Sequence, residues 1–197
     1  MTLKKFLYLF WTTMLVGAVS TIPIGVVIEY QAIAGSDRPW LDLLVGMIWF
    51  AGAGILFSVV SQVGFFAYLV INSFGKDIFR GWLWPAIQVV LILLAVYDFA
   101  YLRQYFASEK QPFVTYLDLP LGLLAAAIVV AWLKVRATNR YAFIPTVFFM
   151  VIMTMVEWVP AVRGNNESSM FFMILPLFVC NTWQIMRLHR ILPKRSG

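Results

Sequence analysis

The sequence predicts an all-α membrane protein, a six-transmembrane-helix bundle with its N-terminus and C-terminus cytoplasmic. Three observations carry that prediction. Six long apolar runs are separated by short connections, and a helix needs about 20 mostly apolar residues to cross the ~30 Å hydrocarbon core. The composition, 62% hydrophobic and only 12% charged, lies far from that of a soluble domain. Basic residues are plentiful in alternate loops and scarce in the others.

The first run, Phe6 to Ile28, follows Lys4 and Lys5. Its Ala18-Val19-Ser20 imitates the cleavage site of a secretory signal, but the apolar stretch continues through Ile28 to full spanning length, so an uncleaved first span is expected. The remaining runs are Leu41 to Ile71, Gly81 to Tyr101, Val114 to Leu133, Tyr141 to Val162 and Met170 to Leu188. The connections are too short for an extramembrane catalytic domain, and no linker, low-complexity tract or internal repeat interrupts the chain. Residues 1–197 therefore read as one integral membrane domain.

Charge sets the expected orientation. Lys4, Lys5, Lys76, Arg80, Lys134, Arg136, Arg140, Arg187, Arg190, Lys194 and Arg195 fall on one face, whereas Arg38, Arg103, Lys110 and Arg163 fall on the other. The positive-inside rule makes the richer face cytoplasmic. Asp77 is the one acidic residue placed there. The net charge of +6 is accordingly a signal of topology and of contact with anionic headgroups, and nucleic-acid binding is a poor explanation for it.

Polar residues inside the spans are the candidate functional positions. Ala51, Gly54, Ser58 and Ser61 recur at helical spacing on the second span, a seam of small residues suited to packing against another helix. Thr12, Gln62, Gln88, Thr146 and Asn181 all lie about two turns from the cytoplasmic ends, with Gln184 one turn nearer the surface, and predict a layer of neutral hydrogen-bonding groups. Three carboxylates fall in the outer half, where hydrocarbon makes charge costly. Asp118 reads as the N-cap of the fourth span, and Asp98 has Arg103 as an expected partner. Glu157 has the weakest structural excuse and is the leading functional carboxylate. Pro176 falls inside the sixth span, which is the one expected to bend.

Enzymatic chemistry finds no support. The only histidine, His189, lies in the basic tail, and the only cysteine, Cys180, allows neither an internal disulfide nor a cysteine metal cluster. No HExxH, GxSxG or P-loop motif occurs. No cofactor, no metal and no soluble substrate is expected. A small transporter or permeation protein, using the outer carboxylates and the inner polar layer, is the alternative from another class.

Three blocks are more specific than hydropathy: FSVVSQVGFFAYL at Phe57 to Leu69, RATNRYAFIPTVFFMVIMTMVEWVP at Arg136 to Pro160, and PLFVCNTWQIMRLHRI at Pro176 to Ile191. In these blocks, their order and the six spans, the chain resembles the KbaA family, the KinB-signalling pathway activation proteins of endospore-forming bacteria. The resemblance implies a multi-pass protein of the bacterial cytoplasmic membrane that promotes the activity of a membrane sensor histidine kinase feeding the sporulation phosphorelay. It brings no catalytic residues with it.

The charge asymmetry makes a direct prediction. Reporters fused after Gly35, Glu109 and Asn165 are expected outside, and those after Lys76, Thr138 and Gly197 in the cytoplasm; alkaline phosphatase and fluorescent-protein fusions read this out, and a cytoplasmic signal after Gly35 reverses the orientation.

Overall fold

The computed structural model describes residues 3–107, 110–163 and 167–191. Glu109, Asn165, Lys194, Arg195 and Gly197, used above, lie outside the described residues. The described chain is helical, with no strand in it: α1 (Leu3–Ile28), α2 (Tyr30–Ala34), α3 (Pro39–Ile78), α4 (Leu83–Phe106), α5 (Asp118–Ala137), α6 (Phe143–Arg163) and α7 (Glu167–Ile191). Single 3-10 turns at Phe113–Leu117 and Arg140–Ala142 lead into α5 and α6. All of these helices except α2 are long and apolar enough to cross a membrane, matching the six expected spans.

One boundary differs from expectation. The polar tail Asn72, Ser73, Lys76 and Asp77 reads as loop, yet it completes a 40-residue α3. The extension is held because the Trp84 ring lies flat against Gly75 and its indole N–H donates to Asn72 Oδ1 at 3.1 Å. Gly81, with φ +67°, then supplies the left-handed residue that reverses the chain into α4. α7 runs without interruption past Pro176.

The chain divides into two compact units, residues 1–62 with 167–197 and residues 63–166, so the single α3 is shared between them, with the division after Gln62. In the first unit, α1 buries a stripe four residues apart, Leu9, Thr13, Gly17, Thr21 and Gly25. Period-four spacing keeps small side chains on one face and lets another backbone come close. α3 takes that place, running antiparallel: Gly17 faces Gly54 and Ser58, Thr21 faces Gly54, and Gly25 faces the Phe50 ring. A β-carbon at Gly54 would run into Thr21 Oγ1 and the Gly17 carbonyl, and one at Gly17 would lie 2.8 Å from Ser58 Cβ. The Thr21 hydroxyl is turned inward, donating to its own helix at Gly17 O over 2.6 Å.

α7 lies against α1 and parallel to the first half of α3. Lys5 Nζ donates to Ile191 O at 3.4 Å and Trp183 Nε1 to Thr12 Oγ1 at 3.2 Å, so the chain's first and last described helices meet at the same end of this unit. Phe172 closes the other end edge-on to both Phe50 and Phe57, with ring centroids 5.8 Å apart in each case.

The second unit is built around α6. Within it, 61% of the most apolar stretch is buried, the highest share of any span. Its aromatic and thioether side chains explain this: Phe149 packs on Phe65 and Tyr68 of α3, Phe148 on Trp84 of α4, and Trp158 stacks on Phe99 of α4 at 4.9 Å. Such offset ring pairs fill space that aliphatic chains would leave open, and supply the dispersion contact that lipid does not.

Gly52 and Gly54 provide a matched pair for testing the α1–α3 contact, because Gly52 has no atom within 4 Å of a would-be β-carbon. Gly54→Leu and Ser58→Leu are expected to cost about 1–3 kcal/mol by overpacking, whereas Gly52→Leu leaves stability unchanged. Detergent unfolding midpoints check this, and equal midpoints for Gly52→Leu and Gly54→Leu would show that no close approach exists.

Candidate functional site

The first unit brings together residues from both groups of polar positions read in the sequence. Ser61, from the small-residue seam, is fully buried and sits between Asn181 and Gln184 of α7. Gln184 Nε2 donates to Ser61 Oγ at 2.7 Å, and Ser61 Oγ donates to Asn181 Oδ1 at 2.8 Å. A hydroxyl that accepts one bond and donates another polarises both, so the chain Gln184 to Ser61 to Asn181 is a directional wire rather than two separate contacts.

Asn181 and Gln184 are three residues apart on α7 and therefore share a face, which is why one side chain of α3 can meet both. Gln62 does not join them. Adjacent residues on a helix point about 100° apart, and Gln62 Nε2 is buried without a hydrogen-bond partner among the described residues. The Gln184 Oε1 atom is likewise buried and unbonded.

Thr12, Gln62, Asn181 and Gln184 belong to the first unit, and Gln88 and Thr146 to the second. Thr12 pairs with the Trp183 indole. Gln88 is completely buried, with neither amide atom hydrogen-bonded among the described residues. Ala51 is half-buried, while Gly54, Ser58 and Ser61 are buried.

The carboxylates separate into three environments. Asp118 is the first residue of α5 rather than the residue before it, yet its Oδ1 accepts from the Leu119 N–H at 2.6 Å. The same oxygen takes a close ion pair from Arg103, whose guanidinium also donates to Tyr116 O at 2.9 Å. Arg103 thus serves Asp118 and not Asp98, which corrects the pairing expected from sequence. The reason is helical geometry: five residues separate Asp98 from Arg103, placing the two about 140° apart around α4. Asp98 is exposed on the flank of α4. Glu157 is buried, only 7% exposed, with its Oε1 resting where a side chain on Gly64 would be. It points into the second unit and not toward the end of α6. No sequence signal identified the Gly64 seat, although a glycine beside Phe65 and Phe66 is a place where α6 can come close.

Two arginines at helix ends lie over tryptophan faces, Arg136 over Trp132 at 3.6 Å and Arg187 over Trp183 at 4.3 Å, each one turn after its ring. Their stems are thereby held at the end of the apolar surface while the charge reaches the headgroup level. Among the described residues, no group of three or more His, Cys, Asp and Glu side chains is arranged to hold a metal ion. Cys180 is buried and forms no disulfide, and its Sγ lies 3.9 Å from the Thr13 carbonyl oxygen.

Comparison with known proteins places these contacts in a family. The family described as KinB-signalling pathway activation in sporulation matches residues 17–191, from the Gly17 contact to the end of α7. The chain belongs to the KbaA family. A KinB-signaling pathway activation protein of Bacillus subtilis (strain 168) is 33% identical over 192 residues, covering 94% of this chain and 96% of the relative. No solved structure matches the chain significantly. The match to the KbaA family includes all three blocks singled out in the sequence, and with them Ser61, Glu157, Asn181 and Gln184.

Ser61→Ala tests the wire. It leaves Gln184 without its acceptor and Asn181 without its donor inside an apolar unit, at a cost of roughly 0.6–2 kcal/mol for each bond lost. Ser61→Thr keeps the hydroxyl and should retain more stability than Ser61→Ala in detergent unfolding; the reverse order would show that the hydroxyl contributes nothing.

Proposed function

We propose that this chain is a multi-pass regulator of the bacterial cytoplasmic membrane that activates a KinB-type sensor histidine kinase pathway leading to sporulation, acting by direct contact with the kinase's membrane part. The observation that carries the reading is the family match over residues 17–191, which takes in nearly the whole membrane bundle. The proposal includes cytoplasmic termini. It is supported by the Lys5–Ile191 contact, which puts the first and last described helices at one end of their unit, and by the basic residues of that end.

The interior supports an accessory role rather than an enzyme. The buried Ser61 with Asn181 and Gln184, and the half-buried Thr12 with Trp183, are engaged in joining helices. A membrane protein of this kind changes a kinase by binding its active arrangement more tightly than its inactive one, and a shift from 1:99 to 99:1 needs a difference of about 5.5 kcal/mol. A few helix–helix contacts of the sort seen inside this chain are of the right size to supply it.

A strain lacking the protein is expected to lose kinase-dependent sporulation while its solute fluxes stay normal, and the wild-type chain to restore it. A flux defect reproduced in purified liposomes would instead establish transport. In the same strain Glu157→Gln, which keeps size but removes the charge beside Gly64, is expected to accumulate normally in the membrane and to lose activation. Reporter output measured with membrane abundance decides the point, and full output at normal abundance would remove Glu157 from the functional residues.

A further inference from the structure

The turn between α5 and α6 sets two arginines beside aromatic rings rather than carboxylates. Arg136 and Arg140 are both exposed, and neither forms an ion pair with a described residue. No Asp or Glu occurs in the sequence between Asp118 and Glu157, of which the first is taken by Arg103 and the second is buried against Gly64. Both arginines lie at the ends of apolar runs: Arg136 is three residues after Leu133, and Arg140 immediately precedes Tyr141. Each guanidinium therefore stands within one turn of the hydrocarbon boundary, at the level of the headgroups.

The rings hold the two cations in place. Arg136 Cζ lies 3.6 Å from the centre of the Trp132 ring, a distance at which the guanidinium must lie flat, because an edge-on group would drive its nitrogens into the indole. Stacking uses the face of a guanidinium and leaves the N–H donors in its plane free. Arg140 lies 5.2 Å from the Tyr141 ring centre and donates one N–H to the Tyr141 hydroxyl at 3.3 Å. The backbone between them is fixed at both ends. Thr138 closes α5 through its N–H to Val135 O at 3.2 Å and its hydroxyl to Lys134 O at 2.7 Å. Asn139 Oδ1 accepts from the Tyr141 N–H at 3.0 Å and opens the 3-10 turn before α6. Four residues of chain span at most ~14 Å, which brings both guanidinia within reach of one headgroup.

Trp132, Leu133 and Tyr141 are exposed, and on a chain with six helices apolar enough to cross a membrane, lipid is what meets such a surface. We propose that this turn is a binding site for an anionic phospholipid, whose phosphodiester accepts from the in-plane N–H donors of Arg136 and Arg140 while its acyl chains lie along Trp132 and Leu133. Charge complementarity selects the occupant. Two cations without a carboxylate call for a headgroup of net negative charge, and a zwitterionic headgroup already carries a cation against its own phosphate. The fork of a guanidinium also matches two phosphate oxygens at once, which a lysine ammonium does not. The inference goes beyond the kinase reading and does not depend on it.

The experiment uses the purified full chain in a neutral detergent, titrated with phosphatidylglycerol, with phosphatidylcholine and with inorganic phosphate, and reads bound molecules by native mass spectrometry. Phosphatidylglycerol is expected to bind about tenfold more tightly than phosphatidylcholine. Arg136→Gln combined with Arg140→Gln is expected to weaken phosphatidylglycerol binding about tenfold or more. Lys76→Gln combined with Arg80→Gln removes the same charge from the exposed α3–α4 turn and is expected to leave binding unchanged. Two further variants separate a built site from charge alone. Trp132→Leu keeps both cations but unpins Arg136, and Arg136→Lys keeps the charge without the fork; each is expected to weaken binding several-fold. Undiminished binding after loss of both arginines, equal losses from the two charge-matched pairs, equal affinity for the two lipids, or inorganic phosphate bound as tightly as the lipid would each overturn the site.

Discussion

The close approach of α1 and α3 at Gly17 and Gly54 is the contact on which the first unit depends. Lipid tails solvate a leucine as well as another leucine does, so apolar side chains alone give membrane helices no reason to associate. Removing the side chains at the crossing brings backbones together, and dispersion attraction over many atoms replaces the missing hydrophobic term. The unit's polar contacts between helices are made with α7. Ser61 lies two turns along α3 from Gly54, and its hydroxyl reaches Asn181 and Gln184 from the same inward face.

The second unit solves the same problem with bulk instead of absence. α6 carries Phe148, Phe149 and Trp158, and each finds a ring on α3 or α4. At Gly75 a missing side chain makes room for the Trp84 ring, and at Gly64 the occupant is the carboxylate of Glu157. An ionisable group seated against the backbone of a neighbouring helix is sensitive to small shifts of either helix.

Much of this was legible in the sequence, for identifiable reasons. Span number follows from the cost of bare backbone in hydrocarbon, which forces every crossing to be a long apolar helix. The inward face of α3 followed from Ala51, Gly54, Ser58 and Ser61, since only small residues at helical spacing mark such a face. Its counterpart on α1, Gly17 with Thr21 and Gly25, was equally visible as residues four apart but draws notice only once α3 is seen lying on it. Pairing among the polar residues was not legible, because it depends on rotation about each helix and not on residue count along it. That same rotation separates Asp98 from Arg103, and it gives Arg103 to Asp118 across the 3-10 turn. The extra length of α3 was hidden because Asn72 and Gly75 look like loop residues until Trp84 folds back on them.

That length sets a geometric condition on the protein in its bilayer. Forty residues at 1.5 Å rise make a rod of ~60 Å, twice the hydrocarbon thickness. Tilts of membrane helices reach only about 40°, at which such a rod still rises some 46 Å along the normal. Tilting therefore cannot hide it, and on the order of ten residues must stand in the headgroup layers or beyond. Trp40 and Asp42 at one end, and Lys76 and Asp77 at the other, are the residues in a position to do so. Among the described helices, α3 is thus the one obliged to present structured helix to the aqueous boundary, and bilayer thickness sets how much of it emerges.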